Sequence, residues 1–469
     1  MPDTSVPAGP KESGSVIDEC LSVRGGHLFI EDCDTVELAA RFGTPVYVVS
    51  ENQLRRNAQR FVRVFSERWN GPVNILASIK ANHVLALRRI LSAEGVGCDT
   101  FGSSELWAAL SCGVPPSLIS VNGSGKSSEL IEQAVAAGCR ITLDAPRELD
   151  LAVAAARKLG RRALVRVRVR PDLSSLAGIA SDFSPEGESI TEISRRYKAG
   201  IPMNEVLPLG ERALACEEVE LVGIHAHFAR HSRSLEVWEA MMRAYGDSIA
   251  RLSAAWSGWQ PKEIDVGGGI PSPRDPTGRA IPRLAAEAGQ APSLDRYAEV
   301  ITSSLAESLE RHGLAVAGTT LEVEPGRGLY ADIGLHLSSV VNVKFESEPS
   351  PLRFVELDTS EIFLMDVNLE HDRFAHLVAS RAAEPPSWTC DLVGRSCGFD
   401  TIIPDAAIAE AEPGDVVAFL DTGAYQEACA SNFNALGRPA TVLVAGAEAW
   451  VVRRAETLAD VFARDVAAS

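Results

Sequence analysis

Short apolar runs alternate with longer amphipathic segments along the middle of the chain. Eight of these runs have the length of buried strands, and most are followed by a segment with the period of a helix. The predicted strands are Asn74–Ala81, Gly97–Phe101, Leu118–Asn122, Arg140–Asp144, Ala163–Arg170, Glu220–Phe228, Glu263–Val266 and Thr319–Glu324. Eight strand–helix units within about 250 residues predict a closed (β/α)8 TIM barrel. An open doubly wound sheet is the alternative, but that fold does not require eight strands.

The pattern changes after Gly328, where strand-like runs separated by turn residues replace the alternation. The predicted strands here are His336–Phe345, Leu352–Leu357, Trp388–Leu392, Val416–Leu420, Ala440–Val444 and Ala449–Arg453. They predict an all-β, Greek-key-like domain, which the strand-like segment Leu28–Ser50 is expected to join. The predicted divisions are a disordered tail (1–19), N-terminal strands (20–50), the barrel (51–328) and the β domain (329–469).

Composition narrows the possible partners and compartments. The chain has 469 residues and a net charge of −18, which disfavours nucleic acid and anionic membranes as partners. It contains no run of about 18 apolar residues that would predict a membrane span. The start of the chain, residues 1–14, lacks the apolar core of a signal peptide. Nine cysteines without a CxxC pair predict free thiols in a reducing cytoplasm and no zinc site.

Side chains with catalytic potential stand at the carboxyl ends of the predicted strands, where barrels of this type build their active sites. Lys80 ends the first strand, and Glu324 ends the eighth. Burial is expected to lower the pKa of Lys80 and so free its amine to attack a carbonyl group. The alternative is a lysine that caps the strand and extends to water.

Gly267, Gly268 and Gly269 follow the seventh strand, and consecutive glycines let backbone N–H groups approach a phosphate closely. On the adjacent strand, Gly326 precedes Arg327, which can bind the same phosphate with two nitrogens. A flexible turn is the alternative for the glycines. A phosphate site beside a reactive lysine predicts pyridoxal 5′-phosphate, bound to the lysine as a Schiff base.

With this cofactor bound, Glu324 is expected to face the pyridine nitrogen and keep it protonated, which makes the ring a strong electron sink. A salt bridge at the barrel mouth is the alternative role for this residue. His225 and His227 alternate on one strand and so point to the same side, which raises metal binding as a competing interpretation. Because no further ligand with suitable spacing accompanies them, we predict no metal and expect one imidazole to stack on the cofactor ring.

These motifs, taken in order, resemble the fold-type-III pyridoxal-phosphate decarboxylases, the family of diaminopimelate and ornithine decarboxylases. The matching segments span nearly the whole chain and are individually weak, but their common order makes the resemblance strong. They are Gly43–Pro45, Lys80–Asn82, Cys98–Asp99, Ser104–Leu106, Gly123, Lys126–Ser127, Gly223, His227, Asp265–Gly269, Glu324–Arg327, Gly394, Cys397, Gly423–Tyr425 and Asn432–Asn434.

The resemblance implies roles around the cofactor. Lys80 resembles the Schiff-base lysine, His227 the histidine that stacks on the ring, and Glu324 the partner of the pyridine nitrogen. The residues that resemble phosphate ligands are Gly269, Arg327 and Tyr425.

Two further residues resemble family members that act on the substrate. Cys397 resembles the residue that helps to protonate the α-carbon after CO2 leaves, and Asp358 resembles an acid that contacts the substrate. Because the matching residues of the family reach into the partner subunit's site, the resemblance implies a homodimer with shared active sites.

Departures from the family pattern concern the substrate. Ala229 and Arg230 stand where the family has Gly-Ser, so Arg230 either replaces a phosphate ligand or reaches an acidic group of the substrate. Gly398 replaces the acidic residue that binds a distal amine after the cysteine. Asp366 stands where diaminopimelate decarboxylases carry an arginine for the distal carboxylate.

The predicted substrate is therefore an amino acid other than meso-diaminopimelate or ornithine, from specialised metabolism. Asp366 and Glu361 are candidate contacts for a cation on this substrate. The alternative is that both are surface charges on a loop.

Two other functions stay open beside decarboxylation of an amino acid. Another pyridoxal-phosphate reaction, such as racemisation or elimination, could use the same scaffold, but related racemases place an arginine where this chain has Glu324. A non-catalytic regulatory homologue is the other alternative. The joint presence of Lys80, Glu324 and Cys397 argues against it.

Overall fold

Eight parallel strands close into a barrel in the computed structural model. The structure describes residues 15–16, 18–176, 189–227, 232–272, 292–369 and 374–466. The barrel strands, first to eighth, are Val73–Ser78, Gly97–Thr100, Ile119–Val121, Arg140–Leu143, Ala163–Arg170, Val219–His225, Glu263–Asp265 and Thr320–Val323. The eighth strand pairs with the first and closes the ring. The predicted (β/α)8 barrel is confirmed.

Helices cover the outer face of the barrel, and serine side chains cap several of them by accepting a backbone N–H of the first turn. Ser50, Ser127, Ser234 and Ser293 are caps of this kind. None of the helices among the described residues is long and apolar enough to cross a membrane. The helices of this part of the chain are Glu51–Ser66, Leu85–Ala93, Ser103–Ser111, Ser128–Ala137, Pro146–Leu159, Ile190–Arg196, Met203–Leu214, Leu235–Ala255, Leu294–Arg311 and Arg327–Tyr330.

The N-terminal segment differs from the prediction of strands alone. A small antiparallel sheet is followed by the helix Thr35–Phe42, which begins where Asp34 accepts the N–H of Val36 and which buries Leu38. Of the predicted disordered tail (1–19), residues 1–14 and 17 lie outside the described residues, whereas residues 15–16 form a strand. The strands of this sheet are Ser15–Val16, Leu21–Arg24, His27–Ile30 and Cys33–Asp34.

The strand Gly334–Glu346 organises the β domain because it pairs with different partners along its length. Its first half lies between Val46–Ser50 and Val416–Leu420, and its second half pairs with Leu352–Leu357. The N-terminal strand Val46–Ser50 also pairs in parallel with Ala440–Ala445, so it joins this domain as predicted. The other strands are His376–Val378, Trp388–Val393, Thr401–Ile408 and Glu448–Arg453, and short helices span Asp366–Leu369, Gln426–Cys429 and Leu458–Val461.

His336 is fully buried in the β domain. Its Nε2 lies 2.7 Å from Thr359 Oγ1, and its ring packs 4.8 Å from that of Tyr47. Burial lowers the pKa of His336 from 6.5 to about 3. The neutral imidazole therefore contributes stability above pH 6.5, and this contribution is lost as the pH falls from about 6.5 towards 3, because the unfolded chain takes up the proton first.

We expect the variant His336→Gln to lose less stability on acidification than the wild type. The free energy of unfolding should fall by about 2 kcal/mol less between pH 7.5 and pH 5, since glutamine does not titrate. Urea unfolding at the two pH values measures this difference. His312→Gln, which changes an exposed histidine, is the control, and an equal acid loss in wild type and His336→Gln would contradict the assignment.

Candidate active site

Lys80 lies in the turn Ile79–Ala81, directly after the first barrel strand. Its Nζ donates to Asp99 Oδ2 at 2.5 Å and to Ser78 Oγ at 3.2 Å. Desolvation lowers the pKa of Lys80, but nearby negative charge, that of Asp99 first, outweighs it and holds the pKa above its ordinary value. The predicted lowering of this pKa is therefore wrong. Lys80 is held as an ammonium, and it must give up a proton before it can attack a carbonyl.

Asn122 connects the lysine's partner to Glu324. Its Nδ2 donates to Asp99 Oδ1 at 2.7 Å and to Glu324 Oε1 at 2.5 Å. The Ser120 hydroxyl donates to Asn122 Oδ1 at 2.9 Å, which fixes the orientation of the amide. Neither Asp99 nor Asn122 is among the predicted site residues. Asn122 ends the predicted strand Leu118–Asn122, where the rule for barrels looks for active-site groups, whereas Asp99 lies in the middle of the predicted strand Gly97–Phe101.

The two histidines of the sixth strand have different partners. His225 is buried, and its Nε2 lies 3.3 Å from Glu324 Oε2. His227 accepts the N–H of Gly268 on Nδ1 at 2.9 Å. Desolvation, with the charges of Arg168 and Lys80, lowers the pKa of His227 to about 3. His227 is therefore neutral near pH 7 and carries its proton on Nε2.

His225, Asp265 and Glu324 bring three possible metal-ligand atoms within 4.8 Å of one another. The prediction of no metal site did not foresee this cluster, because its members come from three different strands. Arg166 Nη1 lies 3.0 Å from Asp265 Oδ2. Since this buried guanidinium already supplies positive charge at the cluster, a metal ion there would be repelled by it.

The glycine segment is packed too closely to carry side chains. A Cβ on Gly267, whose φ is +69°, would lie 2.5 Å from His227 Nδ1, and one on Gly268 would clash with the carbonyl oxygen of Glu324. A Cβ on Gly326 would lie 2.8 Å from the Tyr425 hydroxyl. Gly269 also has a positive φ, of 99°. The N–H groups of Gly267 and Gly268 already donate to Asp265 Oδ1 and His227 Nδ1, both at 2.9 Å, so phosphate binding by this backbone stays a prediction.

Arg327 is buried and holds a carboxylate of its own chain. Its Nη1 lies 2.5 Å from Asp366 Oδ2, and its guanidinium carbon lies 5.0 Å from the centre of the Tyr425 ring. Asp366 is only 2% exposed, so it is not a surface charge on a loop. Arg327, the predicted phosphate ligand, and Asp366, the predicted substrate contact, are thus paired with each other in the structure.

Asp358 uses both carboxylate oxygens inside the β domain. Oδ1 accepts the Ser338 hydroxyl at 2.7 Å and the Ser339 N–H at 2.9 Å, and Oδ2 accepts the Thr44 hydroxyl at 2.6 Å. These bonds tie the Thr44–Pro45 bend to the central strand of the domain. The contact of Asp358 with substrate stays a prediction. Arg230, the other residue predicted to reach substrate or phosphate, lies outside the described residues.

Cys397 is exposed on a loop that Asp400 organises. Asp400 accepts the N–H groups of Ser396 at 2.6 Å and of Glu361 at 2.7 Å. The Cys397 N–H donates to Asn434 Oδ1 at 2.8 Å, and Asn434 Nδ2 lies 3.3 Å from the sulfur. Burial and the charge of Asp400 raise the pKa of Glu361. Among the described residues, no hydrogen bond joins this loop to Lys80 or Glu324.

Comparison with known proteins bears on this site. Residues 51–331 match the family described as pyridoxal-dependent decarboxylase, pyridoxal binding domain. Diaminopimelate decarboxylase from Methanothermobacter thermautotrophicus is 30% identical, with 93% of this chain and 94% of that protein covered. The Methanocaldococcus jannaschii enzyme of that name is 28% identical, covering 96% and 97%. A crystal structure of diaminopimelate decarboxylase from M. jannaschii superimposes with a TM-score of 0.84 at 26% identity, covering 96% and 98%.

The glycine packing predicts the effect of a single methyl group at Gly268. In Gly268→Ala the added Cβ meets the backbone of Glu324, so a strand end must shift, at a cost of about 1–3 kcal/mol. We expect pyridoxal phosphate to bind at least tenfold more weakly, as measured by absorbance titration. The control is Gly102→Ala, whose Cβ has no neighbour within 4 Å. Unchanged affinity in Gly268→Ala would contradict the proposed packing.

Proposed function

Starting from the fact that this chain belongs to the pyridoxal-dependent decarboxylase family, we propose that Lys80 binds the cofactor and that the substrate lacks a distal carboxylate. The enzyme is a pyridoxal-phosphate-dependent amino-acid decarboxylase, a carboxy-lyase. The observation that carries the assignment of residues is the unbroken series of contacts from Lys80 through Asp99 and Asn122 to Glu324.

The residues at the barrel mouth fit pyridoxal 5′-phosphate. The side-chain-free backbone at Gly269 and Gly326 is proposed to receive the phosphate, because the N–H groups of Gly267 and Gly268 donate to Asp265 and His227. The neutral ring of His227 suits the face of an aromatic ring. Glu324 offers its carboxylate to the pyridine nitrogen, and Asn122 and His225 hold that carboxylate in place. When bound, the cofactor supplies an electron sink for the pair of electrons left on the α-carbon as CO2 departs.

Each polar residue of the network then has a defined task. Asp99 Oδ2, 2.5 Å from Lys80 Nζ, accepts the proton that the ammonium must lose. Glu324 keeps negative charge at the pyridine nitrogen, and this charge favours the protonated form of that nitrogen. This carboxylate, in place of the arginine of related racemases, supports decarboxylation over racemisation. Cys397 is proposed to hold the proton that the α-carbon takes up after CO2 leaves.

The substrate is proposed to be neither meso-diaminopimelate nor ornithine, although the relatives named above are diaminopimelate decarboxylases. Asp366 stands where those enzymes are expected to carry an arginine, and it is engaged by Arg327. Glu361 is the remaining candidate for a cationic group of the substrate, because a Cβ on Gly398 would lie 3.6 Å from Glu361 Oε1. A carboxylate thus lies beside the loop position where the family places one.

We also propose a homodimer whose partner chains share each active site. The support is the exposure of Cys397 and of its neighbour Phe399, whose side chain is fully exposed in the single chain. A catalytic thiol and a large apolar side chain on one exposed loop suit a segment that is covered by a second copy of the chain.

Replacement of Lys80 tests the central assignment. Purified wild type loaded with pyridoxal phosphate is expected to release CO2 from at least one member of a panel of amino acids. On meso-diaminopimelate and ornithine its kcat/KM should stay below about 10⁴ M⁻¹s⁻¹, under the usual enzyme range. Borohydride should fix the cofactor covalently to wild type but not to Lys80→Ala, and mass spectrometry reads this out. A covalent adduct in Lys80→Ala would overturn the assignment of the lysine.

Mixed dimers test the shared site. Lys80→Ala and Cys397→Ala homodimers are each expected to be inactive or nearly so. In a heterodimer one site combines the intact lysine of one chain with the intact cysteine of the other, so random mixing should restore about a quarter of the wild-type sites. CO2 release after unfolding and refolding the mixture measures the recovery. Absence of recovery in a preparation with proven heterodimers would argue that each chain builds its own site.

A further inference from the structure

We infer that the pairing of Asp366 with Arg327 makes the active site discriminate against amino acids that carry a second carboxylate. The inference rests on the proposed function and extends it to the charge class of the substrate. In it, Asp366 is a specificity-determining residue that acts through Arg327, not a ligand of the substrate.

The ion pair is held from several directions. Gln426 Nε2 donates to Asp366 Oδ2 at 2.7 Å, the same oxygen that Arg327 contacts at 2.5 Å. The backbone N–H of Asp366 donates to Gln426 Oε1 at 3.1 Å, and Gln426 is itself fully buried. Because Gln426 forms hydrogen bonds with both the backbone and the side chain of Asp366, the carboxylate is held against the Arg327 guanidinium.

The pair lies against the turn that carries the catalytic lysine. The Arg327 guanidinium lies over the Tyr425 ring. The backbone N–H of Tyr425 donates to the Ala81 carbonyl at 2.7 Å. A Cβ on Gly326 would lie 3.4 Å from the Ala81 Cβ. Arg327 and Asp366 are therefore next to the reacting centre, where the charge of a bound side chain would be felt.

The charge of this pair decides which side chains it tolerates. An unoccupied buried arginine would attract a carboxylate strongly. With Asp366 in place, a second carboxylate must either displace the first, which leaves a buried charge unpaired, or lie beside it and be repelled. Uncharged and cationic side chains meet neither penalty, so the pair acts by excluding a competitor.

The test compares L-2-aminoadipate, which has a distal carboxylate, with L-norleucine, which is uncharged. Asp366→Asn keeps the shape of the side chain and removes its charge. We expect the ratio of kcat/KM for aminoadipate over norleucine to rise at least tenfold in this variant. The dissociation constant of glutarate, measured by calorimetry on the cofactor-loaded protein, should fall at least tenfold.

Further variants tie the gain to Arg327. The double variant Asp366→Asn with Arg327→Gln should lose the gain in glutarate affinity. Glu412→Gln removes an exposed carboxylate that pairs with Arg381, and it should change glutarate affinity less than threefold. If the double variant keeps the gain, or Glu412→Gln reproduces it, the inference is overturned.

The cofactor phosphate is the other anion that Arg327 could bind, and a separate measurement distinguishes it. If Asp366→Asn binds pyridoxal phosphate at least tenfold more tightly while the substrate ratio and glutarate affinity stay unchanged, the inference is overturned. Should the variant not fold, wild type decides: a kcat/KM for aminoadipate equal to that for norleucine overturns the inference, and a ratio below one tenth supports it. If no amino acid releases CO2, the proposed function fails, whereas glutarate binding still tests the ion pair.

Discussion

The guanidinium of Arg166 balances the carboxylates that converge inside the barrel, and the geometry of the active site depends on it. Arg166 has no exposed surface, and it contacts Glu322, Asp265 and the Ser120 hydroxyl. These partners lie on the eighth, seventh and third strands. The positive charge of Arg166 therefore ties together strands that are far apart in sequence, and breaking such a buried arrangement costs about 3–5 kcal/mol.

The same contact orients the groups that are proposed to act in catalysis. The Ser120 hydroxyl accepts a hydrogen bond from the Arg166 guanidinium and donates one to Asn122 Oδ1. The Asn122 amide nitrogen then donates to Asp99 and Glu324. The orientation of the carboxylates at the mouth is thus set by two fully buried residues, Arg166 and Ser120. Buried residues that support an active site commonly fix its precision.

Features that depend on the local pattern of residues could be predicted from the sequence. The strand Ala163–Arg170 has its predicted bounds, and Lys80 and Glu324 follow from the rule that active sites lie at the carboxyl ends of barrel strands. The helix Thr35–Phe42 lies within a segment whose pattern predicts strands throughout. Thr401–Ile408 was missed because its proline, Pro404, disfavours a strand assignment.

Contacts between side chains that are distant in the sequence could not be predicted. The positions of Asp99, Asn122 and Arg166 were visible, but their mutual contacts require the order of strands in the closed barrel. Asp366 was identified as a departure from the family pattern. Its burial against Arg327 could not be deduced, because the two residues come from different domains and pair only in the folded chain.

The strand pairing of the β domain has a consequence for the order of folding during synthesis. Val46–Ser50 is made early, yet its parallel neighbour Ala440–Ala445 is made near the end. The barrel between them can assemble its ring of local strand–helix units while the ribosome is still translating the rest. The first strand of the β domain is therefore synthesised before the barrel but acquires its last neighbour after it. The folded barrel and the pairing with Gly334–Glu346 bring the two strands together, so the chain does not have to close the whole intervening length at that step.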